Sequence, residues 1–232
     1  MKMLGNMNAA QIRGVVSSLS ASVFSVLWAL NPEGLQAAES PWYATVDGGL
    51  SLQQDVNWTI NAANSPFSPS PVKAMFNSGY RTDLTIGYKL GHDAALELDS
   101  AFIQNTVGNA GSLVAPADAS INVNQVPLMV NAIYNVPLKG AIQPFVGLGA
   151  GPVIGVVDFS APQVTGARDW DIAVGVQALA GVSVNFTRNL AFGLTYKFLA
   201  TSGYDWTITG GISDKTDGLF NHSVLAALTL RF

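Results

Sequence analysis

The chain has 232 residues, of which 49% are hydrophobic and 11% charged, with a net charge of −4 and no cysteine. The length suits one domain. The mild acidity argues against a nucleic-acid partner, which calls for basic patches, and the fold must hold without disulfides.

The N-terminus reads as a removable secretory signal. Residues 1–14 carry Lys2 and Arg13 and no acid, residues 15–30 are mostly apolar, and Leu35-Gln36-Ala37-Ala38 offers small residues for cleavage. The apolar run is interrupted by serines and is short for a spanning helix, which needs about 20 apolar residues. The predicted organisation is therefore a signal peptide over 1–38 and one domain over 39–232.

Within that domain the hydrophobic pattern has period two. Strands are predicted at 42–54, 79–91, 94–105, 122–136, 141–157, 169–186, 190–202 and 220–232. In the first, Trp42, Ala44, Val46, Leu50 and Leu52 share a face and Asp47 takes the other. In the second, Leu84, Ile86, Tyr88 and Leu90 oppose Arg81, Asp83 and Lys89. The third sets Leu96, Leu98 and Phe102 against Glu97 and Asp99, and the fourth sets Val126, Leu128, Val130, Ala132 and Tyr134 against Gln125, Asn131 and Asn135. The fifth is the least regular. Val146, Leu148, Ala150 and Ile154 face one way, while Gln143, Gly147, Gly149 and Gly151 face the other. Such glycines relieve crowding where a small barrel bends, and their spacing does not match a nucleotide-binding GxGxxG turn. The sixth opposes Ile172, Val174, Val176, Val182, Val184 and Phe186 to Asp171 and Gln177. The seventh opposes Phe192, Leu194, Tyr196 and Phe198 to Lys197, and the eighth opposes Val224, Ala226, Leu228, Leu230 and Phe232 to Arg231.

All nine charges inside these strands thus share one face: Asp47, Arg81, Asp83, Lys89, Glu97, Asp99, Asp171, Lys197 and Arg231. The connections alternate in length. Short turns at 91–93, 137–140 and 187–189 are rich in Gly, Pro, Asn and Asp; long ones at 55–78, 106–121, 158–168 and 203–219 are rich in Asn, Ser, Pro and Gly. Outward aromatics fall in two bands: Trp42, Tyr88, Tyr134, Phe186, Phe192 and Phe232 near the short turns, and Tyr80, Phe102, Trp170, Phe198 and Phe220 near the long loops. Even strand number, segregated loop length and paired aromatic girdles predict an all-β, eight-stranded antiparallel up-and-down transmembrane barrel, apolar outside and polar inside. Its lumen is only wide enough for side chains to fill. The charges are read as a paired polar plug, with Arg81 facing Glu97 or Asp99 and Arg231 facing Asp47 across the closing seam.

No catalytic, metal or cofactor site is assigned. His222 and Ser223 are adjacent in a strand, so they point to opposite faces and cannot pair within it. His92 sits in a short turn. Asp214, Asp217 and Asn221 match no EF-hand spacing. In the long loops, Trp58, Phe67, Phe76, Tyr204, Trp206 and Ile208 are either adhesive anchors for an extracellular ligand or host surface, or extensions of the hairpins above the membrane; the sequence leaves both open.

The segments Trp42-Tyr43-Ala44-Thr45-Val46-Asp47-Gly48-Gly49-Leu50, Val126-Pro127-Leu128-Met129-Val130-Asn131-Ala132-Ile133-Tyr134-Asn135 and Pro144-Phe145-Val146-Gly147-Leu148-Gly149-Ala150-Gly151, with the terminal Phe232, resemble the small outer-membrane β-barrel family that includes OmpA/OmpX-like and opacity-type surface proteins. The resemblance implies residence in the bacterial outer membrane and contact with its lipids. It also implies insertion by the outer-membrane assembly machinery, which reads a final strand such as Leu228, Leu230 and Phe232. The expected function is a non-enzymatic barrel with a structural and surface-interaction role. A narrow porin-like channel, or a soluble secreted ligand-binding barrel of inverted facing, are the alternatives.

Overall fold

The computed structural model describes residues 40–62, 71–109, 120–138, 140–161, 164–208 and 212–232. The predicted signal peptide, 1–38, lies outside them. Eight strands make the barrel: β1 (Trp42–Gln53), β4 (Gly79–Lys89), β5 (Ala94–Asn109), β6 (Ser120–Asn135), β7 (Ile142–Ala161), β8 (Val164–Asn185), β9 (Leu190–Thr201) and β12 (Phe220–Arg231). They pair antiparallel around a ring, β5-β4-β1-β12-β9-β8-β7-β6, which the β5–β6 ladder closes. The first and last strands meet along eleven residue pairs, from Tyr43↔Arg231 to Gln53↔Asn221. Closure leaves the ring without an edge, which a lipid-immersed sheet requires.

Facing follows the predicted pattern. Odd-numbered positions line the lumen along the membrane-spanning part of all eight strands, where Asp47, Arg81, Asp99, Met129, Gln177, Lys197 and Leu225 are buried. Large apolar side chains at even positions, such as Leu98, Leu148, Val174, Leu194 and Leu228, are exposed. The inverted facing of a soluble barrel is thereby overturned: its charges would be outside. Aromatic pairs mark both rims, with Trp42 against Tyr88 and Phe186 against Phe192 at the short-turn end, and Tyr80 against Phe102 and Phe198 against Phe220 at the other. At a rise of ~3.3 Å per residue and a tilt near ~40°, a strand the length of β12 spans roughly 28 Å, close to the height of an apolar bilayer band.

The short turns are tight. Gly91 and Gly140 adopt φ of 118° and 143°, which side-chain-bearing residues avoid. Thr187 Oγ1 accepts the amides of Asn189 and Leu190, a local turn closure.

All four long connections contain strand residues that the period-two reading leaves as loop; in 106–121 these are the ends of β5 and β6. The stretch 158–168 is mostly strand, because β7 and β8 continue past the barrel as one hairpin. The other two hold β2 (Val56–Ala62) and β3 (Pro71–Phe76), and β10 (Asp205–Ile208) and β11 (Ile212–Thr216). These four short strands repeat the order beneath them. The lower ring runs β5-β4-β1-β12-β9, and the outer tier runs β5-β3-β2-β11-β10. Each short strand continues its barrel strand after a break of two or three residues. No ladder joins β10 to β8 among the described residues. Asp171 spans that seam instead, accepting Asp205 N on Oδ2 at 2.8 Å and Ile172 N on Oδ1 at 2.8 Å.

Each break also inverts the parity. Gln53, Gly79, Thr201 and Asn221 face inward below; Trp58, Ala74, Trp206 and Thr216 are the buried ones above. Trp58, Tyr204 and Trp206, for which the sequence leaves open adhesive anchors or hairpin extensions, are buried over the lumen on strands that extend the hairpins; the side chains of Phe67 and Ile208 lie outside the described ones.

Candidate functional site

Among the described residues the buried polar chemistry is concentrated in the lumen, where it is arranged in layers. At the centre, Lys197 on β9 projects its ammonium among three carboxylates: Asp83 Oδ2 at 2.6 Å, Asp99 Oδ2 at 2.9 Å and Asp47 Oδ2 at 3.2 Å. All three carboxylates come from the neighbouring arc β1-β4-β5, across the barrel. Beside them the Arg81 guanidinium donates Nε to both oxygens of Asp83, at 2.8 and 3.0 Å, and one terminal nitrogen to Gln177 Oε1 at 2.8 Å. Its distance to Asp99 Oδ2 is 3.8 Å. Gln177 returns its amide to Asp99 at 3.1 Å and to Asn131 at 3.2 Å, and Thr85 donates to Asp99 Oδ1 at 3.1 Å. Arg81 is 0% exposed and Lys197 3%. Charges so enclosed persist because each has opposite charge and hydrogen bonds at hand.

Room for this network comes from the β7 wall. A Cβ on Gly149 would stand 1.9 Å from Asn131 Oδ1, so only glycine lets Asn131 lie across the strand. Higher up, a Cβ on Gly155 would stand 2.5 Å from the Tyr204 ring. Gly149 and Gly155 are thus clearance for specific side chains.

One inward step toward the long loops, a neutral cluster continues the plug. Asn221 donates to Ser51 Oγ at 2.7 Å, Ser51 donates to Asn105 at 2.9 Å and Ser223 donates to Asn221 at 2.8 Å. Ile103, Met129, Val153 and Leu199 pack against one another in the same region of the lumen. Above them sits the apolar cap, in which Trp206 stacks on Tyr204 with ring centres 5.1 Å apart and meets Trp58 edge-on at 6.1 Å. Val56, Ile121, Val157 and Leu219 join the same cluster. Gln125 donates to Tyr204 Oη at 3.3 Å and links cap to plug.

Toward the short turns the lumen opens into a cavity of about 260 Å³. Asp47, Glu97 and Lys197 reach it from the plug side, and Lys89, His92 and Arg231 lie toward the mouth. Tyr43 donates to Glu97 at 2.7 Å, and Arg231 donates to Asn185.

The nine charges read from the sequence therefore divide. Asp47, Arg81, Asp83, Asp99 and Lys197 form one buried network. Glu97, Lys89 and Arg231 belong to the vestibule, and Asp171 clasps the outer seam. Of the two partners expected for Arg81, Asp99 is the one it meets, at 3.8 Å, while Glu97 is held by Tyr43; the expected Arg231–Asp47 pair is replaced, Asp47 being held by Lys197. The reason is height. Arg81 lies opposite Ile103, three inward steps above Glu97, and Arg231 lies opposite Tyr43, two inward steps below Asp47. Gln177, Asn131 and Thr85 complete the network and carry no charge to flag them; their only sequence signal is odd parity.

His222 faces outward and is bonded to Tyr196 Oη at 2.6 Å and Gln54 Nε2 at 2.7 Å, whereas Ser223 is fully buried in the lumen. Asn221 belongs to the lumen cluster and Asp217 is exposed, so those two residues do not converge.

A closed eight-stranded ring with a lipid-compatible exterior, girdled rims and an ionic interior defines an integral outer-membrane barrel. The chain matches the outer membrane protein beta-barrel domain family over residues 15–232 and belongs to it. No curated protein sequence matches it. Among solved structures, it is similar to the outer membrane protein OprG from Pseudomonas aeruginosa at 15% identity and a TM-score of 0.58, covering 85% of this chain and 100% of that one. Neisserial surface protein A is similar at 14% identity and a TM-score of 0.51, covering 83% and 98%. The outer membrane protease OmpT from Escherichia coli is similar at 10% identity and a TM-score of 0.50, covering 87% and 100%. These likenesses establish the fold and, with the family, the outer membrane as its location.

Proposed function

We propose that this protein is a closed, non-enzymatic outer-membrane barrel with a structural and surface-interaction role. Its outer tier presents a strand-built platform beyond the membrane, and its lumen is sealed. The observation that carries this reading is the central network: Lys197 donates to Asp83 and Asp99 and pairs with Asp47, and Arg81 bridges to Gln177. A solute crossing the barrel would have to break those contacts and displace the Trp58–Tyr204–Trp206 cap. The outward side chains meet membrane lipid, and the last strand, with Leu228 and Phe232, is the segment read by the assembly machinery. Any extracellular ligand or host surface would meet the outer tier.

The test is purified protein in planar bilayers. The expected result is a quiet membrane with no stepwise conductance in the native chain. Stable, reproducible steps would favour the channel reading and overturn this one.

A further inference from the structure

We propose that the vestibule at the short-turn end binds a small solute bearing a primary ammonium on an aliphatic stem, admitted from the periplasm. The first observation is a carboxylate oxygen with nothing to hold. Asp47 is 4% exposed and lines the cavity; its Oδ2 pairs with the Lys197 ammonium at 3.2 Å, while its Oδ1 has no hydrogen-bond partner among the described residues. A buried acceptor of this kind calls for a donor, and a charged donor answers it best.

The second observation is the local charge. The plug and its floor carry Asp47, Asp83, Asp99 and Glu97 against Arg81 and Lys197, an excess of two negative charges. Glu97 shares the floor, and the Tyr43 hydroxyl bonded to it is neutral.

The third is the wall. Tyr43, Ile133, Leu179 and Phe145 pack as one apolar cluster along the cavity. Such a wall has little to offer a hydrated inorganic ion and suits a carbon stem. Among the described residues no group of three or more His, Asp or Glu is placed to hold a metal, and hard divalent ions need six or more oxygens. Aromatic rings in the wall add attraction for an ammonium. At the ~30 Å³ share of a liquid water molecule, a cavity of about 260 Å³ takes roughly eight non-hydrogen atoms, enough for a four-carbon amine. Toward the mouth Lys89 and Arg231 outnumber Asp93, which disfavours a second cationic end, so a monoamine fits better than a diamine.

The experiment titrates the refolded barrel in detergent micelles with n-butylammonium chloride, following backbone amide NMR shifts, with 1-butanol, sodium chloride and putrescine as comparisons. The expected result is saturable binding of butylammonium, perturbing residues around Asp47 and Tyr43. Putrescine should bind several-fold more weakly, and butanol and sodium should produce no saturable shift there. Asp47→Asn should weaken butylammonium at least tenfold while keeping heat-modifiable gel migration. Should that variant fail to fold, Glu97→Gln provides the second reading, with an expected several-fold loss. The proposal is overturned by no saturable binding, by butanol or sodium matching butylammonium, by putrescine binding as tightly, or by folded variants that bind like the parent. None of these outcomes depends on whether the lumen conducts.

Discussion

Because three buried carboxylates share the Lys197 ammonium, Lys197→Met is the sharpest perturbation of the plug. The substitution keeps most of the side-chain volume and removes the charge. Arg81 still faces Asp83 and Asp99, so the uncompensated charge falls mainly on Asp47. Breaking a buried ion pair by removing one partner costs about 3–5 kcal/mol. A separate route gives the same figure. The cheapest relief is uptake of one proton by the carboxylates, and at pH 7 protonating an aspartate of ordinary pKa near ~3.9 costs about 4 kcal/mol. Relief by proton uptake also fixes the sign of the pH dependence. The folded variant holds one proton more than its unfolded chain, so its penalty shrinks on acidification by ~1.4 kcal/mol per pH unit. Urea unfolding in lipid vesicles, followed by tryptophan fluorescence at pH 7 and pH 5, measures both quantities. A loss near 4 kcal/mol lowers the folding constant about a thousandfold, and adding Asp47→Asn to the variant should recover much of it. A loss below about 1 kcal/mol, or one unchanged between the two pH values, would refute the reasoning, because it would mean that water already solvates these carboxylates.

Asp171→Ala should release the β8–β10 seam at a local cost of about 1–3 kcal/mol, seen as faster amide exchange at 205–208 with the barrel's gel shift unchanged. Gly155→Ala should disturb the cap through the Tyr204 ring, detected as increased quencher access to Trp206; unchanged quenching would mean that the close approach is relaxed in solution. Spin labels at Leu194 and Thr195 should report oxygen-rich lipid and an enclosed lumen, respectively; the reverse pattern would invert the fold. Deleting Phe232 should slow assembly into native membranes more than it lowers equilibrium stability, read from the fraction that acquires heat-modifiable migration with time.

The barrel was legible because one rule holds in all eight barrel strands: along their membrane-spanning part odd positions face in, and no ladder there breaks that alternation. Strand five looked irregular only because its inward positions are glycine. The outer tier was not legible for the same reason in reverse. Breaks at 54–55, 77–78, 202–204 and 217–219 invert the parity, so a pattern extended upward from β9 sends Tyr204 and Trp206 to the wrong side. Loop-like composition hid the short strands further, since Asn and Ser are common there. The plug was half legible. Charge and parity located its ions, but partner choice depends on height along tilted strands. Register between strands distant in sequence fixes that height: Lys197 meets Asp83 across 114 positions. Neutral members such as Gln177 and Asn131 gave no signal beyond their parity.

The two seals differ in kind, and the difference bears on how such a lumen is opened. The central network is held by charge, so single substitutions act on it strongly and acidification modulates the result. The cap is held by contact between Trp58, Tyr204 and Trp206, and its supporting strands are tethered to the barrel by short joints, a short β3–β5 ladder and one side-chain clasp at Asp171. Local openings occur where few ladder hydrogen bonds oppose them, so the cap should yield first. Yielding there uncovers only the neutral Ser51–Asn105–Asn221 cluster and the apolar layer beside it. Conductance would still wait on Lys197. A variant that loosens the outer tier alone should therefore change surface exposure and protease sensitivity without producing current, and a Lys197 variant alone should lose stability while the cap still blocks the bore. Only the two changes together remove both barriers.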